Sequence, residues 1–458
     1  MSANTGYLTA DSGTFHALLT YYAPTVAIPT TDNKLGALYC FLSRVEPWSD
    51  EQEPPAPQQT QKNIKEVFKN MFVAKQITTN DISPVIERID WTSGETYSYY
   101  RDDVDMFQEE PNGTLVRRFY VRNRFDQVFK CLWNNNGQPS TVEPYFEPGT
   151  FNANQIFQGA DDYKWKYMYT ITTGRKLKFM DDFWMPVPAS NNVPNPIESN
   201  KGIGSIEVVN IINTGNNYNP AIATIDVRIV GDGQGASANA VVSAGQITDI
   251  TVSNTGYGYS YANVIISSTT GSGAVAEAFA SPIGGHGFNL NSELGVKHVM
   301  LTATFDKDEA GNLPTDIDFR QIGVLLNPLA YFGTSYGQAN AAVYKLTTDL
   351  VVSQGFGEFV SDEIVFQSPD GLLENATFSA TVLSFDSDSN VVKLINIQGT
   401  PIQNAVIVGN TSQTSRLVLQ TQTPSFIKNS GYLIYLENRE PTQRSPEGAE
   451  QFRLVLGH

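Results

Sequence analysis

Histidine, cysteine and charge are all scarce in this sequence, and each scarcity excludes something. The four histidines, His16, His286, His298 and His458, are scattered along the 458 residues, and no two share a metal-ligand spacing. Cys40 and Cys131 are the only cysteines. They are too few for a disulfide framework, and their apolar surroundings read as buried free thiols. No apolar run reaches the roughly 18 residues that a bilayer-spanning helix needs. The opening Met1-Ser2-Ala3-Asn4-Thr5 has neither the charged nor the apolar region of a secretory signal, so the expectation is a chain made and folded in a cytoplasm.

Catalytic signatures are missing as well. Neither a Gly-x-Ser-x-Gly elbow nor a plausible Cys/His pair occurs. Gly231-Asp232-Gly233-Gln234-Gly235 and Gly271-Ser272-Gly273 lack the Lys-Ser/Thr of a phosphate loop and read as turns. Asp386-Ser387-Asp388-Ser389-Asn390 starts like a calcium loop, but Val391 and Ile397 stand where Gly and Glu are required, which leaves a hairpin turn. The pairs Asp102/Asp103, Asp161/Asp162 and Asp181/Asp182 are adjacent, a geometry that places them on opposite strand faces or in turns. The reading is of a non-enzyme with no catalytic residue, no cofactor and no metal.

What charge there is has one dominant sign. The net charge of −17 repels phosphate backbones and anionic lipid, so neither nucleic acid nor membrane is an expected partner. Local basic stretches (Arg117, Arg118, Arg122 and Arg124; Arg175, Lys176 and Lys178) read as solvated strand faces or as partners of nearby carboxylates.

The fold class read from the pattern is α+β and strand-dominated, a mixed scaffold with two N-terminal helices and two inserted all-β modules. Phe15, Leu18, Leu19 and Tyr22 follow helical spacing behind a cap at Ser12, and Ile64, Val67, Phe68, Met71 and Phe72 do so behind Thr60. Between them, Glu53-Pro54-Pro55-Ala56-Pro57 reads as an extended arm. Beyond residue 80 short aromatic and β-branched runs take over. One of them, Lys164-Trp165-Lys166-Tyr167-Met168-Tyr169, alternates like a half-buried strand. Small residues dominate 202–283, where Ile206–Gly215 (IEVVNIINTG) is echoed by Ile247–Gly256 (ITDITVSNTG), two copies of one β-unit. A strand rhythm over 345–425 suits a small barrel or sandwich. The scaffold then comprises 1–201, 284–344 and 426–458, and deleting 202–283 is expected to leave it folded.

Aromatic, Pro and Arg clusters punctuate the element ends: Arg44-Val45-Glu46-Pro47-Trp48, Arg88-Ile89-Asp90-Trp91, Phe319-Arg320-Gln321 with Asn327-Pro328, and Tyr435-Leu436-Glu437-Asn438-Arg439. Singly they read equally as chain–chain anchors or as internal ion pairs and core aromatics. Together, and in this order, they closely resemble the baseplate wedge protein of the gene product eight family of T-even-like contractile-tailed phages, from about residue 35 onward, interrupted by the two modules. The segment Glu440–Glu450 departs from that family's acidic, Gln-rich ending. The resemblance implies a homodimer in the virion tail baseplate that links other baseplate wedge proteins and relays the rearrangement preceding sheath contraction. The residues of these clusters would then be its interface or family-motif positions. A tail fibre or receptor-binding protein is the alternative.

Overall fold

The computed structural model describes residues 7–8, 37–58, 60–112, 114–147, 156–188, 204–307, 309, 313–315, 317–444 and 449–457. Strand predominates. The helices among the described residues are Gln61–Asn70, Thr173–Phe179 and the single turn Leu290–Glu293. Two compact units divide the chain, one built mainly from 37–82 and 301–454, the other from 83–300.

In the first unit an antiparallel six-stranded sheet runs in the order Tyr7–Leu8, Tyr432–Gln443, Asp318–Leu326, Leu38–Ser43, Met71–Ile77, Val343–Lys345. Asp318–Leu326 is a central strand, with Gln321 opposite both Ser43 and Asn438. The helix Gln61–Asn70 starts where Thr60 Oγ1 accepts the Asn63 amide at 3.2 Å. Its Val67 and Phe68 are buried and share a core with Tyr39, Phe41, Leu325 and Tyr344. The other N-terminal helix, expected around Phe15 to Tyr22, lies outside the described residues. Glu53–Pro57 adopts neither helix nor strand.

The same unit holds a closed six-stranded barrel. Its order is Thr348–Val352, Val391–Gly399, Phe378–Asp386, Ile364–Gln367, Val406–Gly409, Ser415–Gln422, closing on the first strand. Alternate side chains fill it, among them Leu350, Phe378, Val392 and Val418. The Asp386 carboxylate caps the hairpin turn into Val391–Gly399 by accepting the Asp388 and Ser389 amides.

The second unit centres on the sheet Tyr120–Arg122, Gln127–Trp133, Lys164–Thr170, Ile156–Gln158. Here the structure corrects the half-buried reading of 164–169. All six residues are buried, Lys166 completely so. Both faces are covered, and the lysines find carboxylates inside: Lys164 meets Asp249 at 3.0 Å and Lys166 meets Glu207 at 4.0 Å. Arg175, Lys176 and Lys178, read as a strand face or as partners of nearby carboxylates, lie on the helix Thr173–Phe179, where Lys176 pairs with Asp126. Arg175 turns inward to Ser83 and the Val187 carbonyl.

The two sequence repeats exchange strands. Val209–Asn216, opening the first copy, pairs with Ser272–Ala278, which closes the second. Gln246–Tyr257, in the second copy, pairs with Gln234–Ser243, which closes the first. The middle strands Ile225–Gly231 and Ala262–Ser268 pair with each other. Matching bulges fall at Ile211/Asn213 and Ser237/Ala238, and matching tyrosines, Tyr218 and Tyr259, accept the Ala274 and Ala236 amides at 3.2 and 3.3 Å. Each copy therefore completes the other's sheet, a pseudo-two-fold arrangement.

Candidate interface site

Three of the strings singled out in the sequence meet at one end of the six-stranded sheet. The arm after Leu38–Ser43 folds back across that end, and residues of the neighbouring strands hold it. Arg320 grips Glu51 with Nε and Nη2 at 3.0–3.2 Å and also pairs with Asp318 at 2.7 Å. Such a fork onto a carboxylate fixes orientation as well as distance. Arg44 reaches the other Asp318 oxygen at 2.9 Å and also pairs with Asp362, in the loop between the first two barrel strands of the chain. Gln321 donates to Asn438 at 2.8 Å, and Asn438 in turn donates to the Pro55 carbonyl at 2.7 Å. The Trp48 indole N–H closes the arrangement on the Arg439 carbonyl at 2.8 Å.

Burial separates two groups of residues here. Arg44, Arg320, Gln321 and Asn438 are each under 9% exposed, as are Phe319 and Tyr435, so they brace the chain itself. Glu46 and Pro47 are exposed, while Trp48, Glu437 and Arg439 are half-buried. Glu437 accepts the Tyr435 hydroxyl at 2.8 Å and lies 3.5 Å from Arg439. Between arm, helix Gln61–Asn70, sheet end and barrel strand Val391–Gly399 opens a cleft of about 530 Å³, lined in part by Trp48, Pro55, Asn63, Gln321, Asn396 and Asn438. Its walls combine neutral amides, prolines and one indole with three charged side chains, Glu46, Glu66 and Lys69.

Asn327 and Pro328 lie at the opposite end of their strand, roughly 20 Å from Gln321 at the usual strand rise. Asn327 takes a left-handed conformation at φ 55° and accepts Gln338 at 2.6 Å.

Arg88, Asp90 and Trp91 belong to the second unit and form their own network. Arg88 donates to Asp90 at 2.7 and 3.0 Å and to the Asp181 carbonyl at 2.8 Å. The other Asp90 oxygen takes Arg122 at 2.7 Å; Arg122 also pairs with Asp126, and Asp126 with Lys176 at 2.9 Å. Burial works to raise the Asp90 carboxyl, but the hydrogen bonds from Arg122 and Arg88 outweigh it and hold it below the usual carboxylate range. Trp91 donates to Ser140 Oγ at 3.0 Å.

A buried charged cluster in this unit went unread in the sequence. Lys130 and Glu293 pair at 2.9 Å with side chains 0% and 1% exposed, and His286 stands 3.8 Å from the same carboxylate. The Glu207 carboxylate, near Lys166, accepts the His286 amide at 2.7 Å. A visible signal was Lys130 itself, the one charge in the uninterrupted run Val128-Phe129-Lys130-Cys131-Leu132.

Among the described residues no group of three or more His, Cys, Asp or Glu is placed to hold a metal ion, and no helix is long and apolar enough to cross a membrane. The chain matches no family model and no curated protein.

Proposed function

We propose that the chain is a structural subunit of a phage tail baseplate wedge, a dimer that links neighbouring wedge proteins and relays the rearrangement preceding sheath contraction. One observation carries most weight beside the resemblance. Arg44-to-Trp48, Phe319-to-Gln321 and Tyr435-to-Arg439, far apart in sequence, form a single braced assembly at one sheet end. Its buried members lock the arm, and its partly exposed members, Glu46, Pro47, Trp48, Glu437 and Arg439, offer a surface on that rigid base. Contacts that must hold in one state and shift as rigid bodies in another suit such a base.

Mass spectrometry of purified tails, followed by electron microscopy of the intact particle, tests this reading. The expected result is the chain in the baseplate and a dimer by light scattering of the pure protein. A trimer in solution, with the chain located in fibres, would replace the proposal by the receptor-binding alternative.

A further inference from the structure

One aromatic side chain lies wholly in water on a loop built to hold it there. Phe356 is 100% exposed, in the segment between barrel strands Thr348–Val352 and Ile364–Gln367. Gly355 and Gly357 flank it, and neither position takes a side chain easily. A Cβ on Gly355 would come within 2.8 Å of Arg416 Nη1, and Gly357 has φ +79° with Thr414 Oγ1 at 2.7 Å from its would-be Cβ.

The loop beneath is fixed from every direction that the contacts reveal. Arg416, 5% exposed, spans its base, donating to the Ser353 carbonyl at 3.2 Å and the Gly357 carbonyl at 2.6 Å while its guanidinium lies over Phe385. Thr414 Oγ1 donates to the Glu358 carbonyl at 3.0 Å. Phe359 is buried, edge-on to Phe385 at 5.4 Å. The Glu363 carboxylate gathers the Val360, Thr411 and Ser412 amides at 2.7–3.1 Å. Asp362 ties the loop to Arg44 and so to the braced sheet end.

A rigid loop that holds a phenyl ring in water has already lost the conformational freedom that binding would otherwise cost. Aromatic anchors that enter a partner's pocket are where interface energy concentrates. Val360, 51% exposed in the same loop, supplies a neighbouring apolar contact. The charge around the ring restricts what the partner can be. Residues 348–422 carry eight carboxylates against two cations; with Asp349, Glu363 and Arg416 buried, six carboxylates remain against Lys393. Anionic lipid is repelled by such a surface, and a basic protein surface is attracted.

We infer that Phe356 is the anchor of a second contact site, which inserts into an apolar pocket ringed by Lys and Arg on a neighbouring protein of the same particle. This rests on the wedge reading above, and the test separates the two. The full chain, its Phe356→Ala and its Phe356→Leu variants are supplied in trans to a phage lacking a functional copy, and incorporation into purified tails is quantified. Phe356→Ala is expected to keep the parent's melting midpoint, since the ring is fully exposed among the described residues, and to lose at least about thirtyfold in incorporation. Phe356→Leu should fall between the two. Equal incorporation of parent and Phe356→Ala overturns the anchor while leaving the wedge reading intact. Absence of the parent chain from tails overturns both. Flotation of the parent, but not of Phe356→Ala, with phosphatidylglycerol vesicles would make the ring a lipid contact and refute the protein partner.

Discussion

Removing the buried carboxylate at Glu293 should expose how much of the second unit depends on one ion pair. Glu293 accepts Lys130 at 2.9 Å, the Gly287 amide at 2.8 and 2.9 Å and the Asn289 amide at 3.2 Å. Lys130 Nζ also sits 4.1 Å from the centre of the Tyr100 ring. Burial alone raises the Glu293 carboxyl; the Lys130 charge and the His286 and Gly287 contacts overcome that and hold it down at about 2. Against an ordinary value of 4.5, that depression corresponds to roughly 3 kcal/mol. The unfolded chain binds the proton more readily, so the contribution is complete above about pH 4.5 and is lost as pH falls towards 2. His286 adds a loss that begins higher. Burial, then the Lys130 charge, lowers its pKa, so from about pH 6.5 downward the unfolded imidazole takes a proton that the folded one refuses.

Glu293→Gln leaves the ammonium of Lys130 buried without its counter-charge, and Lys130→Met strands the carboxylate. Each should cost about 3–5 kcal/mol, whereas the double variant should cost far less than the two together, because neither charge is then orphaned. Two units need not unfold together, so the assay is native-state hydrogen exchange of the Gln127–Trp133 amides, read from pH 7 to pH 3. Single variants within about 1 kcal/mol of the parent, or additive losses, would refute the reasoning.

Two further outcomes are expected. Replacing 211–276 by a two-residue turn joins Asn210 to Glu277, which already face each other across the sheet, and with Lys164→Met to remove the charge balanced by Asp249 it should leave soluble, folded protein by circular dichroism. The wider deletion of 202–283, which composition alone suggested would leave the scaffold folded, should instead fail in the same assay, because it also removes Glu207, the partner of Lys166 and of the His286 amide. Glu51→Gln combined with Trp48→Phe should speed proteolytic cleavage within 50–57 several-fold while shifting the melting midpoint little, since the Glu51 side chain is 36% exposed and its pair is worth about 1 kcal/mol or less; unchanged cleavage would contradict the pinned arm.

Strands were legible where β-branched and aromatic residues ran together, as in Ile364-Val365-Phe366 or Gln127–Trp133. The helix at Gln61–Asn70 was legible from Ile64, Val67, Phe68 and Thr60, but Met71 and Phe72, read as continuing it, open the strand Met71–Ile77. The repeat was visible in its Asn-Thr-Gly and Tyr positions, but the strand exchange was not, because two equal copies pair as well with themselves as with each other on sequence alone. The alternation of Lys164 and Lys166 with Trp165 and Tyr167 misled for a physical reason. Period two is the mark of a strand with one wet face, and equally of a doubly covered strand whose lysines find carboxylates. Those carboxylates, Glu207 and Asp249, lie some 40 and 85 residues downstream, where no local pattern connects them.

Of the strings that suggested an interface, three meet at one sheet end, while Arg88–Trp91 and Asn327-Pro328 lie elsewhere. Arginines and tryptophan at strand ends serve a partner or their own chain with equal ease, and here Arg44 and Arg320 both pair with carboxylates of their own chain. Their contacts are unequal, however. Arg44 joins the end of the strand Leu38–Ser43 to the strand Asp318–Leu326 through Asp318, with both of these side chains largely buried at 9% and 16% exposed; Arg320 holds the arm through Glu51, whose side chain is 36% exposed. Water can replace the second contact at little cost, whereas parting the first would leave Arg44 and Asp318 poorly solvated. Under load the arm at 45–57 should therefore detach before the strands Leu38–Ser43 and Asp318–Leu326 lose their registry. The joint that yields first is the one beside the cleft, with Trp48 as its latch.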